Sequence, residues 1–475
     1  MNYRITPAPT PVVVAWPTQL ARITGVLVLA ATSLLGLPAS TNASMNSDEG
    51  KSAGKLLSQR ERAAFIDRNL EHRFEHTLPA LMRREGIDMW LLLSREYNED
   101  PVLKTMLPAS WMSARRHTML VIYDPGEGQA LERLAVARYA VSDLFTQAWD
   151  KEQQPDQWQA LAAIIRERDP ERIGINRSVD FALADGISST EYDSLRSALG
   201  NDLNQRLVPA QPLAIAWLET RSEPEMSVYP DLVALGHSLI ARAFSNEVVT
   251  PGETTTEDVI WWLREQSAAL GLGNWFHPTV SIQRADRQAF DQVEAFSKRA
   301  GDNVIQPGDL LHMDFGLTYL RLNTDQQQHA YVLKPGETDA PQGLKDALAA
   351  ANRLQDIVTG AFATGKTGNQ VLSKARTQAI KESLKPVIYT HPLGVHGHGA
   401  GPTIGLWDQQ EGVPVAGDYP LYPDTAYSIE LNAASTIPEW DKEIRIMLEE
   451  DAFFDGEKVT YLKGRQTQFH LISSP

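Results

Sequence analysis

Two aspartates interrupt a stretch of the chain that otherwise resembles buried β-structure. Residues 310–328, LLHMDFGLTYLRLNTDQQQ, carry Asp314 and Asp325 among apolar and β-prone side chains. In one straight strand these carboxylates would lie roughly 36 Å apart. If the chain turns back between them, two neighbouring strands can direct both carboxylates at one point, where like charges require a cation. The sequence therefore predicts a turn inside this stretch and a cation site beside it.

Three later segments could complete such a site. Each has a simpler interpretation, since a strand glutamate can face solvent and a histidine can belong to a polar loop. Together they offer carboxylates and imidazoles, and glycines among them would let the backbone approach a metal closely. The candidates are His391, His396 and His398 in THPLGVHGHGAGPTIGLWD, Glu430 in TAYSIELN and Glu449 in EIRIMLEEDAFF.

Composition excludes several classes of function. The 475 residues allow two or three domains. Lys and Arg number 44 against 60 Asp and Glu, and no basic run stands out, so we expect no nucleic-acid partner. The absence of cysteine excludes disulfides, thiolate nucleophiles and zinc–thiolate sites.

Residues 360–367, GAFATGKT, match the phosphate-binding P-loop pattern, but a helical pattern precedes them, so we predict a turn between two helices.

The first 43 residues resemble a secretory signal peptide. An apolar segment starts at Ile23 after Arg22 and ends in small residues, with Thr41 and Ala43 at the offset of a cleavage site. An uncleaved membrane anchor is the alternative, although glycines and Pro38 make the segment short for a span. We therefore expect an exported protein, periplasmic or secreted, with no stable membrane span after signal cleavage.

The remaining chain divides into two parts. Strand-like runs such as MWLLLS and TMLVIY alternate with helical segments over residues 58–220, which predicts an α/β domain. The polar TRSEPEMSV from Thr220 is typical of a linker. Residues 225–475 begin with a long helical segment and continue mainly with strands, which predicts an α+β domain.

The order of the candidate ligands resembles that of the pita-bread metallopeptidases, which include methionine aminopeptidase, aminopeptidase P, prolidase and the metal-free creatinase. That family uses Asp, a second Asp eleven residues later, His in a glycine context, Glu and Glu. An additional domain before these motifs favours the aminopeptidase P, prolidase and creatinase branch. The matching positions are Asp314, Asp325, Gly397-His398 with Gly401, Glu430 in SIEL, and Glu449 in RIMLEED.

The resemblance implies a creatinase-like amino-terminal domain, residues 58–220, followed by a pita-bread catalytic domain, residues 225–475. It implies two divalent metal ions, with Mn favoured and Co, Zn or Fe able to replace it. A hydroxide bridging the ions would cleave a peptide bond in a short peptide, as in Xaa-Pro aminopeptidases or dipeptidases. A homodimer is expected. The alternative is a creatinase-type C–N hydrolase or a non-catalytic binding protein. The implied ligands are Asp314, Asp325, His398, Glu430 and Glu449, with Glu430 also moving the proton.

The chain departs from the family pattern at two histidines. The second histidine of the His motif is replaced by Trp407, and the histidine upstream of Asp314 is also missing. Spacing leaves both His396 and His398 open as the ligand, although the Gly-His-x-x-Gly fit favours His398. We expect Arg445 to orient a bridging carboxylate. The candidate replacements are His391, His396 or Trp407 for the second histidine and His277 for the upstream one.

One segment of the amino-terminal part could contact a ligand. SWMSARRH, residues 110–117, contains Trp111 and Arg115, which could engage a short peptide and its carboxylate. A plain surface loop is the alternative.

Overall fold

The computed structural model describes residues 56–286 and 303–474, all within one compact unit. The predicted signal peptide, residues 1–43, lies outside the described residues. No helix within the described ranges is long and apolar enough to cross a bilayer.

The amino-terminal part contains a six-stranded sheet. Its strands are β1 (Met89–Arg95), β2 (His117–Tyr123), β3 (Glu132–Val136), β4 (Thr146–Gln147), β5 (Ile173–Ile175) and β6 (Leu207–Pro209). Their spatial order is β4-β3-β2-β1-β5-β6, and β2 runs antiparallel to the other five. Because strand side chains alternate between faces, Trp90 and Leu92 enter one core while Leu91 and Leu93 enter another.

Helices cover both faces of this sheet. The core around Trp90 contains residues of α2, α3 and α6 as defined below, and the opposite core contains residues of α4 and α5. The helices are α1 (Gln59–His72), a π-helical turn (Arg73–Thr77), α2 (Leu78–Glu85), α3 (Pro101–Met106), α4 (Gln157–Arg168), α5 (Ser189–Asn204) and α6 (Gln211–Glu219).

The carboxy-terminal part is built on a nine-stranded sheet in which β12-β14-β15-β11-β8-β7 form the main path. Strand β13 pairs with β14, β16 with β15 and β17 with β11. The strands are β7 (Thr279–Gln283), β8 (Leu310–Phe315), β11 (Gln326–Val332), β12 (Lys385–Ile388), β13 (His391–Leu393), β14 (Thr425–Ile437), β15 (Lys442–Phe454), β16 (Val459–Tyr461) and β17 (His470–Ile472).

Two helix pairs enclose this sheet. Helices α7 (Glu223–Ala243) and α8 (Thr256–Ala269) bury one apolar face, and α9 (Gln342–Thr359) and α10 (Gly368–Lys381) bury the other. The order α/β followed by α+β confirms the predicted fold class. The GAFATGKT segment joins α9 to α10, so the prediction of a turn between helices is also confirmed.

The predicted turn between the two aspartates is present. Strand β8 ends at Phe315, a small hairpin of β9 (Thr318–Tyr319) and β10 (Leu322–Asn323) follows, and β11 returns antiparallel to β8. Leu320 and Arg321 at the hairpin tip have φ of +53° and +65°, a left-handed conformation that tight turns require.

The prediction of a linker after Thr220 is wrong, because α7 begins at Glu223. Ser222 caps the helix and Glu225 completes a capping box. Proline is tolerated in the first helical turn, where its missing N–H has no intrahelical partner, so Pro224 does not interrupt this helix.

Candidate metal centre

One line across the carboxy-terminal sheet carries a polar side chain on each of four neighbouring strands. Along it, the strand register pairs Glu430 of β14 with Glu449 of β15, Glu449 with Gln327 of β11, and Gln327 with Asp314 of β8. Asp325 lies two residues before Gln327 and therefore faces the same side. Directly opposed side chains in such a row have Cβ atoms about 4.5–5.5 Å apart. Four carboxylates from distant parts of the chain thus meet on one face.

His391 lies among these carboxylates. It begins β13, where pairing with Ser428 places it beside the β14–β15 acids. Its Nε2 lies 3.7 Å from Asp325 Oδ2, 3.7 Å from Glu430 Oε2 and 3.6 Å from Glu449 Oε1. The groups that could hold an ion, with ligand atoms within 4.8 Å of one another, are Asp325-His391-His398, His391-Glu430-Glu449 and Asp314-Asp325-Glu449.

The hydrogen bonds of the cluster fit a bound cation. His391 Nδ1 lies 3.0 Å from the Pro392 carbonyl oxygen, which can only accept, so Nδ1 carries the proton. In the neutral ring, Nε2 then presents a lone pair to three carboxylates. Within the described chain, neither this Nε2 nor the buried Asp314 Oδ1 has a hydrogen-bond partner. Acceptor atoms facing one another in a buried site are stabilised by a metal ion.

Electrostatics leads to the same conclusion. Burial raises the pKa of Asp314, Asp325 and Glu430 well above the usual carboxyl range, and the nearby Glu449 carboxylate raises each pKa further. Buried carboxylates of this kind are costly unless they are protonated or neutralised by cations.

The three predicted histidines occupy different positions. His391, expected to replace a missing catalytic histidine, is the imidazole that the carboxylates surround. His398, expected as the ligand, lies on the exposed side of the cluster, with its ring centroid 4.8 Å from that of His391. His396 is in none of the metal-sized groups among the described residues. The prediction of His398 rested on the Gly-His-x-x-Gly motif. His391 lies before that motif, and it reaches the acids because it begins β13, which pairs with β14.

Gln327 orients two of the acids and is not among the predicted site residues. Its Nε2 donates to Glu430 Oε1 at 2.5 Å and to Glu449 Oε2 at 2.7 Å. His312 Nε2 donates to Gln327 Oε1 at 2.9 Å, and burial lowers the pKa of His312 to about 4, which keeps its ring neutral. Ser428 Oγ donates to Glu449. Counting two residues on from Asp325 could have identified Gln327 as part of the site.

Three other predicted residues do not join the acids. The Arg445 guanidinium donates to Asn432 Oδ1 at 2.8 Å, so the expected contact with a bridging carboxylate is wrong; Gln327 and Ser428 make that contact. Trp407 is 45% exposed in a turn. His277 lies against Arg264 at 3.1 Å and beside the Trp261 ring.

An aromatic wall borders the histidine side of the cluster. The Trp275 ring lies 5.1 Å from the His398 ring and 4.5 Å from the Phe276 ring, and Trp275 Nε1 donates to the Thr324 carbonyl at 2.8 Å. A Cβ at Gly397 would lie 2.3 Å from the Trp275 ring. Glycine at this position therefore gives the indole room beside His398.

Several solved structures are similar to this chain over most of its length. X-Pro aminopeptidase from Thermotoga maritima MSB8 is 17% identical, with a TM-score of 0.57 over 83% of this chain and 99% of that chain. Xaa-Pro dipeptidase from Bacillus anthracis is 16% identical, with a TM-score of 0.52 over 87% and 100%. Aminopeptidase P from E. coli is 12% identical, with a TM-score of 0.54 over 86% and 96%.

At these identities the structures establish the fold, which is the pita-bread fold predicted from the ligand motifs. No curated protein sequence matches the chain. The model of metallopeptidase family M24 matches residues 234–452, a range that contains the four clustered acids, His391 and His398. Over these residues, the chain matches metallopeptidase family M24.

Proposed function

We propose that this enzyme hydrolyses a peptide bond in short peptides, as an Xaa-Pro aminopeptidase or dipeptidase, with two divalent metal ions. The structure favours His391 over His398 as the imidazole ligand. The proposed ligands are Asp314, Asp325, His391, Glu430 and Glu449.

The observation that carries the proposal is the orientation of His391. Its Nδ1–H is held by a carbonyl, so Nε2 is the nitrogen that faces three carboxylates at 3.6–3.7 Å and that can bind an ion when the ring is neutral. Four carboxylates balance the charge of two divalent ions, and an oxygen-rich site with one imidazole suits Mn²⁺ and also accepts Co²⁺, Fe²⁺ or Zn²⁺. Two such ions, when bound, polarise a carbonyl and activate a water at neutral pH.

The chain's own groups would then move the proton and bind the substrate. Glu430 is fixed by Gln327 through Oε1, so Oε2 faces the site, where it would bind an ion, take a proton from the attacking water and return it to the leaving amine. His398, on the exposed side, would contact the scissile carbonyl of an entering peptide. The site therefore has two imidazoles, so the apparent loss of the family's second histidine does not favour the non-peptidase alternative.

The aromatic wall supports a preference for proline. Trp275 and Phe276 offer flat apolar surfaces next to His398. A proline ring is rigid and apolar, and it buries its surface against such a wall without losing side-chain entropy.

Metal analysis of the purified chain tests the site. We expect about two divalent ions per chain in the wild type and a clear loss of metal in Asp325→Asn. The control is Asp193→Asn, since Asp193 is an exposed acid on α5, and it should keep the wild-type metal content. A wild-type protein that binds no metal under any loading condition would disprove the proposal.

Peptide assays test the reaction. Metal-loaded protein should cleave X-Pro peptides faster than matched X-Ala peptides, and EDTA should stop both reactions. Loaded protein that cleaves neither series would favour a C–N hydrolase of another class or a binding protein on the same scaffold.

Export and dimer formation are further proposals that rest on sequence alone. The signal-like residues 1–43 support secretion to the periplasm or beyond, and cell fractionation with sequencing of the mature amino terminus tests this. Light scattering tests the homodimer.

A further inference from the structure

A second site lies at one end of the amino-terminal sheet. A pocket of about 510 Å³ is lined there by residues at the carboxyl ends of β1, β3 and β4 and at the start of β2. The volume is within the usual range for small-ligand sites. In open α/β sheets, ligands commonly bind beyond the carboxyl ends of the strands. Gln157 closes the floor of the pocket, because its Nε2 donates to the carbonyls of His117 and Val136.

The pocket is cationic in a chain that is acidic overall. Three arginines line it, and among the described residues only Arg116 has a carboxylate partner, Glu96 at 3.0 Å. Arg115 and Arg138 make no ion pair or side-chain hydrogen bond within the described ranges. Two unpaired guanidiniums beside one pocket form a site for an anion, and carboxylates are bound well by this geometry.

Aromatic rings form the other walls. Trp111 and Trp149 are each 8% exposed, and Tyr139 is 56% exposed. The Arg115 guanidinium lies 4.2 Å from the centre of the Trp111 ring, which holds its charge at the pocket wall. A flat apolar group would bury its surface against these rings.

We propose that this pocket binds the carboxyl-terminal end of a peptide whose last residue is aromatic. Arg115 and Arg138 contact the carboxylate, and Trp111 and Tyr139 contact the ring. This site is separate from the metal centre, and ligand binding here does not depend on the proposed peptidase activity.

The pocket suits a carboxylate better than a phosphate. The first turn of α4 borders it, but the Asp156 side chain already accepts from the amides of Trp158 and Gln159, so these donors are occupied. Glu96 also lines the pocket and would repel a dianion more strongly than a single carboxylate.

Calorimetry on the full-length chain in EDTA tests this proposal. The probe is N-acetyl-phenylalanine, compared with N-acetyl-phenylalanine amide, which keeps the ring and lacks the charge, and with phenyl phosphate. We expect the acid to bind at least tenfold more tightly than the amide and more tightly than phenyl phosphate. The double variant Arg115→Gln/Arg138→Gln should bind the acid at least tenfold more weakly than the wild type.

Arg177→Gln is the matched control. The Arg177 guanidinium lies 4.2 Å from the Tyr192 ring, the same distance as Arg115 from Trp111, but it lies outside the pocket. This variant should bind the acid within twofold of the wild type. The proposal fails if the wild type binds no probe, if the acid and amide bind equally, if phenyl phosphate binds more tightly, or if the double variant behaves as the wild type. Circular dichroism checks that both variants are folded.

Discussion

The metal centre and the amino-terminal pocket both gather like charges, but in opposite surroundings. At the candidate metal centre, four acids on or next to neighbouring strands extend into a buried space, and Gln327 and Ser428 orient two of them. In the pocket, arginines extend from loops at the strand ends into solvent, and two have no ion pair or side-chain hydrogen bond within the described chain. Buried like charges need a counter-ion before they are stable, whereas exposed ones need none. The first arrangement therefore indicates a ligand much more strongly than the second.

Glu449→Gln should have the largest effect, because this side chain belongs to two of the three metal-sized groups. Metal-dependent activity should fall by about 10³-fold or more. This exceeds the loss of about 10–100-fold that is typical when a residue hydrogen-bonded to a metal ligand is mutated. The metal-free variant should melt at a higher temperature than metal-free wild type, because a charge that raises the pKa of three neighbouring acids is gone.

The control for that variant is Glu443→Gln, an exposed position on the same strand, β15. It should leave activity unchanged, and loss of its exposed pair with Lys385 should change the melting temperature of the metal-free protein only slightly. A lower melting temperature for metal-free Glu449→Gln would contradict the account of charge crowding.

Glu219 on α6 is buried like the acids of the candidate metal centre, but it belongs to none of the metal-sized groups among the described residues. Burial raises the pKa of Glu219 to about 8, and neither carboxylate oxygen has a hydrogen-bond partner within the described residues. As the pH rises, the folded protein keeps this proton after the unfolded chain has lost it. The protonated Glu219 carboxyl therefore contributes its full share of the folding free energy below pH 4.5, and this share is lost as the pH rises through 8. Glu219→Gln should therefore leave stability unchanged at pH 4 and increase it by a few kcal/mol at pH 9.

Urea unfolding of wild type and Glu219→Gln at both pH values measures this difference. Equal differences in unfolding free energy at pH 4 and pH 9 would mean that the Glu219 carboxyl ionises normally in the folded protein.

Gln327→Ala tests whether orientation is a separate requirement of the buried cluster. Losing the amide that holds Glu430 and Glu449 should reduce metal affinity and kcat/KM by about 10–100-fold. Gln328→Ala is the matched control, since the next side chain faces away and contacts Glu450 and His470. Equal losses of kcat/KM in the two variants would show that the effect comes from strand stability.

Gly397→Ala should affect substrate binding without removing any charge. The new Cβ would lie 2.3 Å from the Trp275 ring, and overpacking of this kind costs about 1–3 kcal/mol. We expect kcat/KM for X-Pro peptides to fall about tenfold at unchanged metal content. Trp275→Phe in the same chain should restore part of the loss, and an unaltered kcat/KM in Gly397→Ala would exclude Trp275 from the substrate site.

Arg116→Gln should have the smallest effect, because its pair with Glu96 is exposed. Such surface pairs contribute about 0–1 kcal/mol. Thermal unfolding should differ from wild type by no more than this, and a larger loss would mean that the pocket depends on the Arg116–Glu96 pair for stability.

The sequence predicted the convergence of distant acids correctly because composition and spacing carry that information. Acids inside apolar strands are costly, and a turn between Asp314 and Asp325 is the simplest way to bring them together. Helix ends were less predictable: TRSEPEMSV has the composition of a linker, but Ser222 and Glu225 cap α7. Local composition did not distinguish a capped helix start from a loop.

The neighbours of each acid could not be predicted, because they depend on strand pairing. The three-residue strand β13 contains Pro392, and only its pairing with β14 places His391 among the carboxylates. Arg445 is four residues before Glu449 on β15 and reaches Asn432 on the neighbouring strand. Which residue is opposite which requires the register of the whole sheet.

The long pairing of β14 with β15 also suggests an order of events during folding. These two thirteen-residue strands are joined by one short 3₁₀ turn, so their hairpin can close with little loss of loop entropy. Glu430 and Glu449 would become neighbours at that stage, whereas Asp314 and Asp325 must arrive from more than a hundred residues earlier in the chain. A folding chain would therefore hold two of the five proposed metal ligands in place before the two aspartates have docked, and an ion captured early would guide the remaining strands into register.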